Sequence, residues 1–525
     1  MSPQLPSSLA SLLTPRAYSH PVERVELIET HVSWVLLAGA FAYKIKRPVC
    51  YPFVDQRSPE RRRLLCEEEL RLNRRFAPEL YLGVCEIVCV DGEARVDAEG
   101  PALEHAVRMR RFESADELDR LLDAWRIEPP ELEAFGRELA AIHARLPAAT
   151  EASPWGRPAD IARLVLRNLD ECADASEVFD GREVVVALRG ALEGRLETAA
   201  PWMAARRAAG RVRECHGDLH CRNVVRVGSH LVAFDCLEFD PALRWIDVAD
   251  EIALLSSDLL ARNRPVRAHA FQGGYLAESG DYQACRVLKL YQAHRALVRA
   301  KVAALAAAGA ADESERRPLH DEHSRLVDCA RDFLDSRAAR PALVLMCGLS
   351  GSGKTWLARQ LAPRLSAVHL RSDVERKRAA GLAPLSASHS EIGGGLYAPQ
   401  NSEAVYEGLA QTAEDVVAGG YTALVDASFL SRAQRARFHT LARRLAVPLH
   451  LVLCEAPLAV LRARITARAQ TARDASEADT AVLDWQLAHL EAPAPEEGND
   501  MILVDSADAD ALERILGRVR GSLEA

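Results

Sequence analysis

The sequence predicts a two-domain chain of mixed class: an α+β part first, then an α/β part whose strands form a parallel sheet with flanking helices. Three observations carry this. Up to about residue 110 the apolar runs are short and rich in β-branched residues, and from 115 to 210 apolar residues recur at helical spacing. From 341 onward short apolar strands alternate with helical stretches, the pattern of a parallel sheet. Between the two parts, Glu313 to Arg340 is charged and reads as a helical linker ending before Pro341. A length of 525 residues suits about two to four domains. We divide the chain into an N-terminal arm (1–24), a first domain (25–310), a linker (311–340) and a second domain (341–525).

Hydrophobic residues at 49% and charged residues at 27% are enough to bury sizeable cores. A net charge of −9 argues against a broad electrostatic grip on nucleic acid, while leaving room for a local basic cleft. Twelve cysteines lack CxxC spacing, so buried free thiols are expected rather than zinc ligands, in a reducing, cytoplasmic setting. No leader-like segment is visible, and no apolar run approaches the roughly 18 residues of a membrane span.

In chain order, the Ser- and Pro-rich start reads as a loose arm. Val32 to Lys46 reads as a two-strand hairpin around Gly39, with Lys44 and Lys46 on one face of its second strand. Ser58 to Phe76 is a charged helix whose stripe Leu65, Glu69, Leu72, Phe76 places a carboxylate among apolar residues. Arg61, Arg62 and Arg63 read as its solvated face. Strands follow at Leu80 to Val90 and Ala106 to Arg110, then helices to about 210. His216-Gly217-Asp218-Leu219-His220-Cys221-Arg222-Asn223 precedes a hairpin, Val224 to Val227 and Leu231 to Phe234, with Asp235 at its end. Trp245 to Leu260 reads as a helix bearing Asp247, Asp250 and Glu251.

The chemistry of this first constellation is positional. Asp218 can reach an acceptor hydroxyl, Asn223 can turn back to a metal, and the hairpin carries Asp235 to the opposite side of that metal. Phosphoryl transfer needs little more than such positioning and charge neutralisation. Lys44 is similar to the protein-kinase strand lysine, a resemblance that implies a grip on the α- and β-phosphates with Glu69 as its partner; Lys46 competes for that role. His216 reads as an orienting residue, His220 as a loop residue, and Asp247 and Asp250 as supports of the loop. The run from His216 to Asn223, with Ala42-Tyr43-Lys44-Ile45-Lys46 and Asp235, resembles the aminoglycoside phosphotransferases and related small-molecule kinases over roughly residues 25 to 310. That resemblance implies a bilobal protein-kinase-like fold and ATP–Mg²⁺ as donor. Two departures stand out: no G-x-G-x-x-G loop precedes the lysine, and Cys236-Leu237 follows Asp235 where kinases have Phe-Gly.

The second domain opens with Gly348-Leu349-Ser350-Gly351-Ser352-Gly353-Lys354-Thr355, a full match to G-x-x-x-x-G-K-[ST] between an apolar strand, Ala342 to Met346, and a helix from Trp356. The loop from Gly348 through Ser350, Gly351, Ser352 and Gly353 can wrap phosphate oxygens with its amides. Lys354 would reach the β- and γ-phosphates, and Thr355 would hold Mg²⁺. Ser372-Asp373 follows a short strand, Ala367 to Leu370, and Asp426 closes another, Ala423 to Asp426, in the place of a metal-holding acid. Asp373 reads as an acceptor base or, alternatively, a helix N-cap. Gly393-Gly394-Gly395 reads as a flexible loop. Arg462, Arg464 and Arg468 lie on a helix from Leu458 to Ala469, with Arg464 and Arg468 on one face. These residues, with Arg376 and Arg378, resemble the P-loop kinase group of zeta toxins, gluconate-type sugar kinases and polynucleotide-kinase-type AAA-like ATP-binding domains. The resemblance implies that Asp373 activates the acceptor, an arginine near it binds substrate, and lid arginines clamp phosphate.

Together these readings predict a bifunctional ATP-dependent phosphotransferase acting on small-molecule hydroxyls, with a separate ATP–Mg²⁺ site in each part. Two other classes remain open: a nucleotide-sensing regulator with one inactive module, and an RNA- or DNA-end kinase in the second domain.

Overall fold

The computed structural model describes all residues except 1–4, 52–53, 336–339, 384–385, 387–393, 470–475, 495–496, 498–500 and 524–525. Gly393 of the expected glycine loop, part of the linker and the first residues of the arm lie outside the described residues. The chain forms two compact units, one of Met1–Glu131, Ala141–Arg157 and Ala204–Leu255, the other of Leu132–Ala140, Pro158–Met203 and Ser256–Ala525.

The first unit holds an antiparallel sheet of strands β1 (Val25–Glu29), β2 (Ser33–Ala38), β3 (Phe41–Lys46), β4 (Tyr81–Val90), β5 (Glu93–Val96) and β6 (Ala102–Arg110) in the order β1-β2-β3-β6-β4-β5. The β2–β3 hairpin turns at Gly39, whose φ of +59° favours a residue without Cβ. β1 and β5 were not expected: β1 carries two glutamates and β5 is short, so neither presents an apolar run. Helix α1 (Pro59–Asn73) begins where the Ser58 side chain accepts the Arg61 N–H at 3.1 Å. Leu65, Glu69, Leu72 and Phe76 are all buried, as their stripe predicts. Arg62 departs from the expected solvated face. It lies three residues before Leu65, on the same stripe, and is buried with its Nε donating to Glu104 Oε2 at 2.7 Å.

The loop from His216 to Asn223 leads into strands β7 (Val224–Val227) and β8 (His230–Ala233). Val225 and Val232 seat this hairpin in one core with Cys66, Tyr81 and Val107. Trp245–Asp247 is a strand paired with Val212–Glu214, so the expected helix begins only at Val248 (α2, Val248–Ala261). The reason is tertiary: Asp247 pairs with Val212, Arg206 holds its carboxylate by two bonds of 2.8 Å, and Asp247 in turn accepts the Ala249 N–H.

In the second unit, helices α3 (Pro265–Ser279), α4 (Cys285–Ala308) and α5 (Glu313–Leu334) precede the sheet. The expected linker helix is amphipathic, burying His323, Leu326, Val327, Ala330 and Leu334. The sheet has β9 (Leu343–Cys347), β10 (Ala367–Arg371), β11 (Thr422–Asp426), β12 (Leu449–Glu455) and β13 (Met501–Asp505), all parallel, in the order β10-β11-β9-β12-β13. β9 is buried along its whole length, as a central parallel strand requires. Leu357 and Leu361 of α6 (Lys354–Arg364) pack on Val344, Leu424, Val452 and Val504. Each such leucine contributes about 1.5–3 kcal/mol by burial. Three further helices serve the site: α7 (Ser372–Ala379), α8 (Pro399–Ala418) and α9 (Leu458–Ala469).

The twelve cysteines are free thiols, and only Cys50 and Cys89 are exposed. Among the described residues no helix is long and apolar enough to cross a membrane.

Candidate functional site

In the first unit, strand alternation turns both Lys44 and Lys46 inward, and Glu69 meets them from α1. Lys44 Nζ lies 2.9 Å from Glu69 Oε1 and also bonds Asp235 Oδ1. Lys46 Nζ lies 2.5 Å from Glu69 Oε2 and bonds Glu238 Oε1. This separates the two lysines. The Lys46 side chain is fully enclosed and answers Glu238, whereas Lys44 reaches Asp235, whose side chain is 43% exposed. Lys44 is therefore the more accessible of the two. Burial works against its charge, but Asp235 and Glu69 hold its pKa well above the usual lysine value. Asp235 is likewise disfavoured by burial yet kept below the usual range by Lys44.

The loop is held by groups around it. Glu251 accepts the His216 N–H at 2.7 Å and the Gly217 N–H at 3.0 Å. His216 Nε2 lies 2.8 Å from the Phe234 carbonyl, and its Nδ1 accepts the Asp218 N–H at 3.3 Å. Burial lowers the His216 pKa to about 4, so the ring is neutral at pH 7 and orients rather than titrates. His220 Nδ1 accepts the Arg222 N–H at 3.2 Å. Asn223 Nδ2 donates to the Asp218 carbonyl at 2.9 Å and to Asp218 Oδ2 at 3.3 Å. Asp235 adopts φ +66°, and its N–H donates to the Tyr81 hydroxyl at 3.0 Å. The oxygens of Asp218, Asn223 and Asp235 are hard donors of the kind magnesium takes. Glu238, Glu251 and Tyr81 were not singled out as site residues. Glu251 carried a weak signal, an acid in the first turn of α2, but its target lies 35 residues away in sequence.

In the second unit, the loop from Gly348 to Thr355 joins β9 to α6. Gly353 has φ +90°, and a Cβ there would come 2.5 Å from the Ser506 side chain. The Thr355 hydroxyl donates to Asp426 Oδ2 at 2.7 Å, and His369 Nε2 lies 3.3 Å from the same oxygen. Burial would raise the Asp426 pKa, but the His369 hydrogen bond and charges near it lower it to about 2. One cavity of about 700 Å³ is lined by Lys354, Thr355, Asp426, Asp373, Arg464 and Arg468, among others. That volume suits a nucleotide-sized ligand, and the Thr355 and Asp426 oxygens suit magnesium.

The expected residues do not all behave alike. Lys354 Nζ donates to the Leu349 carbonyl at 3.1 Å. Arg464 Nη1 donates to the Gly351 carbonyl at 3.2 Å and to Ser506 Oγ at 2.8 Å, and Arg468 Nη2 to the Ala478 carbonyl at 2.8 Å. Ser350, Gly351 and Gly353 line this cavity, while Gly348 and Ser352 border another of about 620 Å³. Asp373 sits in the first turn of α7, whose N-cap is Arg371. Arg376 lines the cavity, with Nη1 donating to the Leu396 carbonyl at 2.8 Å. Arg378 instead bonds the Ala277 carbonyl, and Arg462 pairs with Asp484 at 2.5 Å on an exposed face. Gln486 was not expected: its Oε1 accepts the Ser350 N–H at 2.8 Å.

Residues 343–493 match the family model described as an AAA domain, so the C-terminal part carries a P-loop domain of that kind. Over most of its length the chain is similar to an uncharacterised protein of Mycobacterium tuberculosis, 29% identical over 492 residues, covering 91% of this chain and 95% of that protein. Among solved structures, a gluconokinase from Sinorhizobium meliloti aligns with 35% of this chain and 94% of its own, at 19% identity and a TM-score of 0.26. A choline/ethanolamine kinase family protein from Mesorhizobium loti aligns with 60% of this chain and 93% of its own, at 14% identity and a TM-score of 0.33.

Proposed function

We propose that this chain is a bifunctional ATP-dependent phosphotransferase acting on small-molecule hydroxyls, with one site in the 25–310 part and another in the 341–525 part. One observation carries the reading: a single cavity is lined by Lys354, the Thr355–Asp426 pair and Asp373, a donor end and an acceptor acid together. Lys354 neutralises the β- and γ-phosphates of ATP. Asp373 takes the proton of the acceptor hydroxyl as its oxygen bonds to the γ-phosphorus, and the bond to the bridging oxygen of ADP breaks. Magnesium held by Thr355 and Asp426 would offset phosphate charge during this exchange. In the first part, Lys44 grips the donor phosphates, Glu69 steadies Lys44, Asp218 takes the acceptor proton, and Asn223 and Asp235 supply the metal-holding oxygens. Free thiols throughout suit the reducing cytoplasm.

The test is acceptor-dependent ADP release across a metabolite collection, using wild type, Asp218→Asn and Lys354→Ala. Each substitution should abolish one set of phosphorylated products and spare the other. Loss of both sets from either substitution would sink the two-site reading. Tight ATP binding without turnover would make the chain a nucleotide sensor. Labelling of 5′-hydroxyl oligonucleotides would make the second site an end kinase.

A further inference from the structure

Helix α7 uses two faces for two purposes. Asp373 and Arg376, three residues apart, line the cavity. Glu375 and Arg378, also three apart, look away from it toward α3 and the start of α4. The Tyr282 hydroxyl donates to Glu375 Oε1 at 2.9 Å. Arg378 Nε lies 3.3 Å from Glu375 Oε2, and its Nη2 bonds the Ala277 carbonyl near the end of α3. Tyr282 is 4% exposed, so its hydroxyl bond is shielded from water.

The same helices grip the sheet domain at further points. Arg286 Nε donates to Asp415 Oδ1 of α8 at 2.6 Å, and Lys289 Nζ to the Gly420 carbonyl at 2.8 Å. The Tyr421 hydroxyl donates to Gln292 Oε1 at 2.8 Å, and Gln292 Nε2 to Ser256 Oγ at 2.9 Å. Gly419 packs so closely that a Cβ would come 2.3 Å from the Cys285 carbonyl. α7 and α8 both border the cavity; α7 is tied to α3 and to the turn before α4, and α8 to α4.

We propose that Tyr282, Glu375 and Arg378 are positioning residues that tie the Asp373 helix to α3 and α4, so that acceptor phosphorylation at the P-loop site depends on those helices staying docked. The proposal rests on the phosphotransferase reading of that site. The donor end is built on β9, β11 and α6, so the tie should govern the acceptor and the chemical step rather than ATP binding.

Tyr282→Phe removes one oxygen and keeps the ring. In an Asp218→Asn background, kcat for acceptor-dependent ADP release should fall about tenfold, the loss expected for a misplaced reacting group, with KM for ATP unchanged. Amide hydrogen exchange in 372–379 should quicken, while exchange in 343–347 stays as in wild type. Glu375→Gln keeps an accepting oxygen for Tyr282 and should retain protection of 372–379. Should Tyr282→Phe fail to fold, Arg378→Met, which loses the bond to Ala277, gives the same measurement. Unchanged exchange in 372–379 would overturn the tie whatever the kinetics. No turnover in any variant, with faster exchange in Tyr282→Phe, would instead overturn the functional reading and support the tie.

Discussion

The Lys44 cluster and the P-loop cavity, the two sites proposed to take ATP, are built by opposite means. The first is assembled from distant chain: Lys44 and Asp235 are 191 residues apart, and each charge already has a partner. The second is mostly local, eight consecutive residues whose backbone turns supply the cradle, completed by Asp426 from a neighbouring strand. Where side chains build the site, its integrity is electrostatic and cooperative, because removing one charge strands others. Where backbone builds it, its integrity is conformational, because a single Cβ can close it.

Three perturbations press on that contrast, in falling order of effect. Lys46→Met leaves the Glu238 carboxylate buried without its cation, and should cost about 3–5 kcal/mol in urea unfolding of the first unit. A cost near that of an exposed pair would show that the cluster is not cooperative. Gly353→Ala should cost about 1–3 kcal/mol from its left-handed backbone, and more from the Ser506 contact, with ATP binding at Lys354 lost. Retained ATP affinity, read by calorimetry in an Asp218→Asn background, would contradict the conformational account. The pH response is gentler. Burial lowers His216 to about 4 and His143 to about 3, both under the ordinary value of 6.5. Their stabilisation is fully present above pH 6.5 and is lost as pH falls toward 4, because the unfolded chain takes up the protons first. Asp426, held at about 2 against an ordinary 3.8, contributes stability that is present above 3.8 and lost only as pH falls toward 2. Imidazole resonances of His216 moving between pH 7 and 6 would refute the ordering.

The contrast also explains what the sequence discloses. The P-loop was legible because its residues are contiguous and its spacing is dictated by backbone geometry. The placing of Asn223 beside Asp218 and of Glu69 beside Lys44 was legible for a related reason, a fixed loop spacing and a carboxylate out of place on an apolar stripe. The choice between Lys44 and Lys46 was not, since alternation puts both on one face and only Glu238 tells them apart. Gln486 and Tyr81 were silent because their partners lie 136 and 154 residues away. Arg62 was misread because three consecutive arginines suggest a solvated run, although the helical phase of Leu65 already turns the middle one inward. Asp247 was placed on a helix because its run is apolar and continuous, whereas its pairing with Val212 decides for strand.

The double use of α7 bears on how this protein could be re-engineered. A helix of eight residues whose cavity face and docking face are both occupied offers few positions where a library could vary acceptor choice without loosening the tie. Glu403 on α8 and Gln434 border the same cavity from other walls, and a library aimed at the proposed acceptor should begin with them.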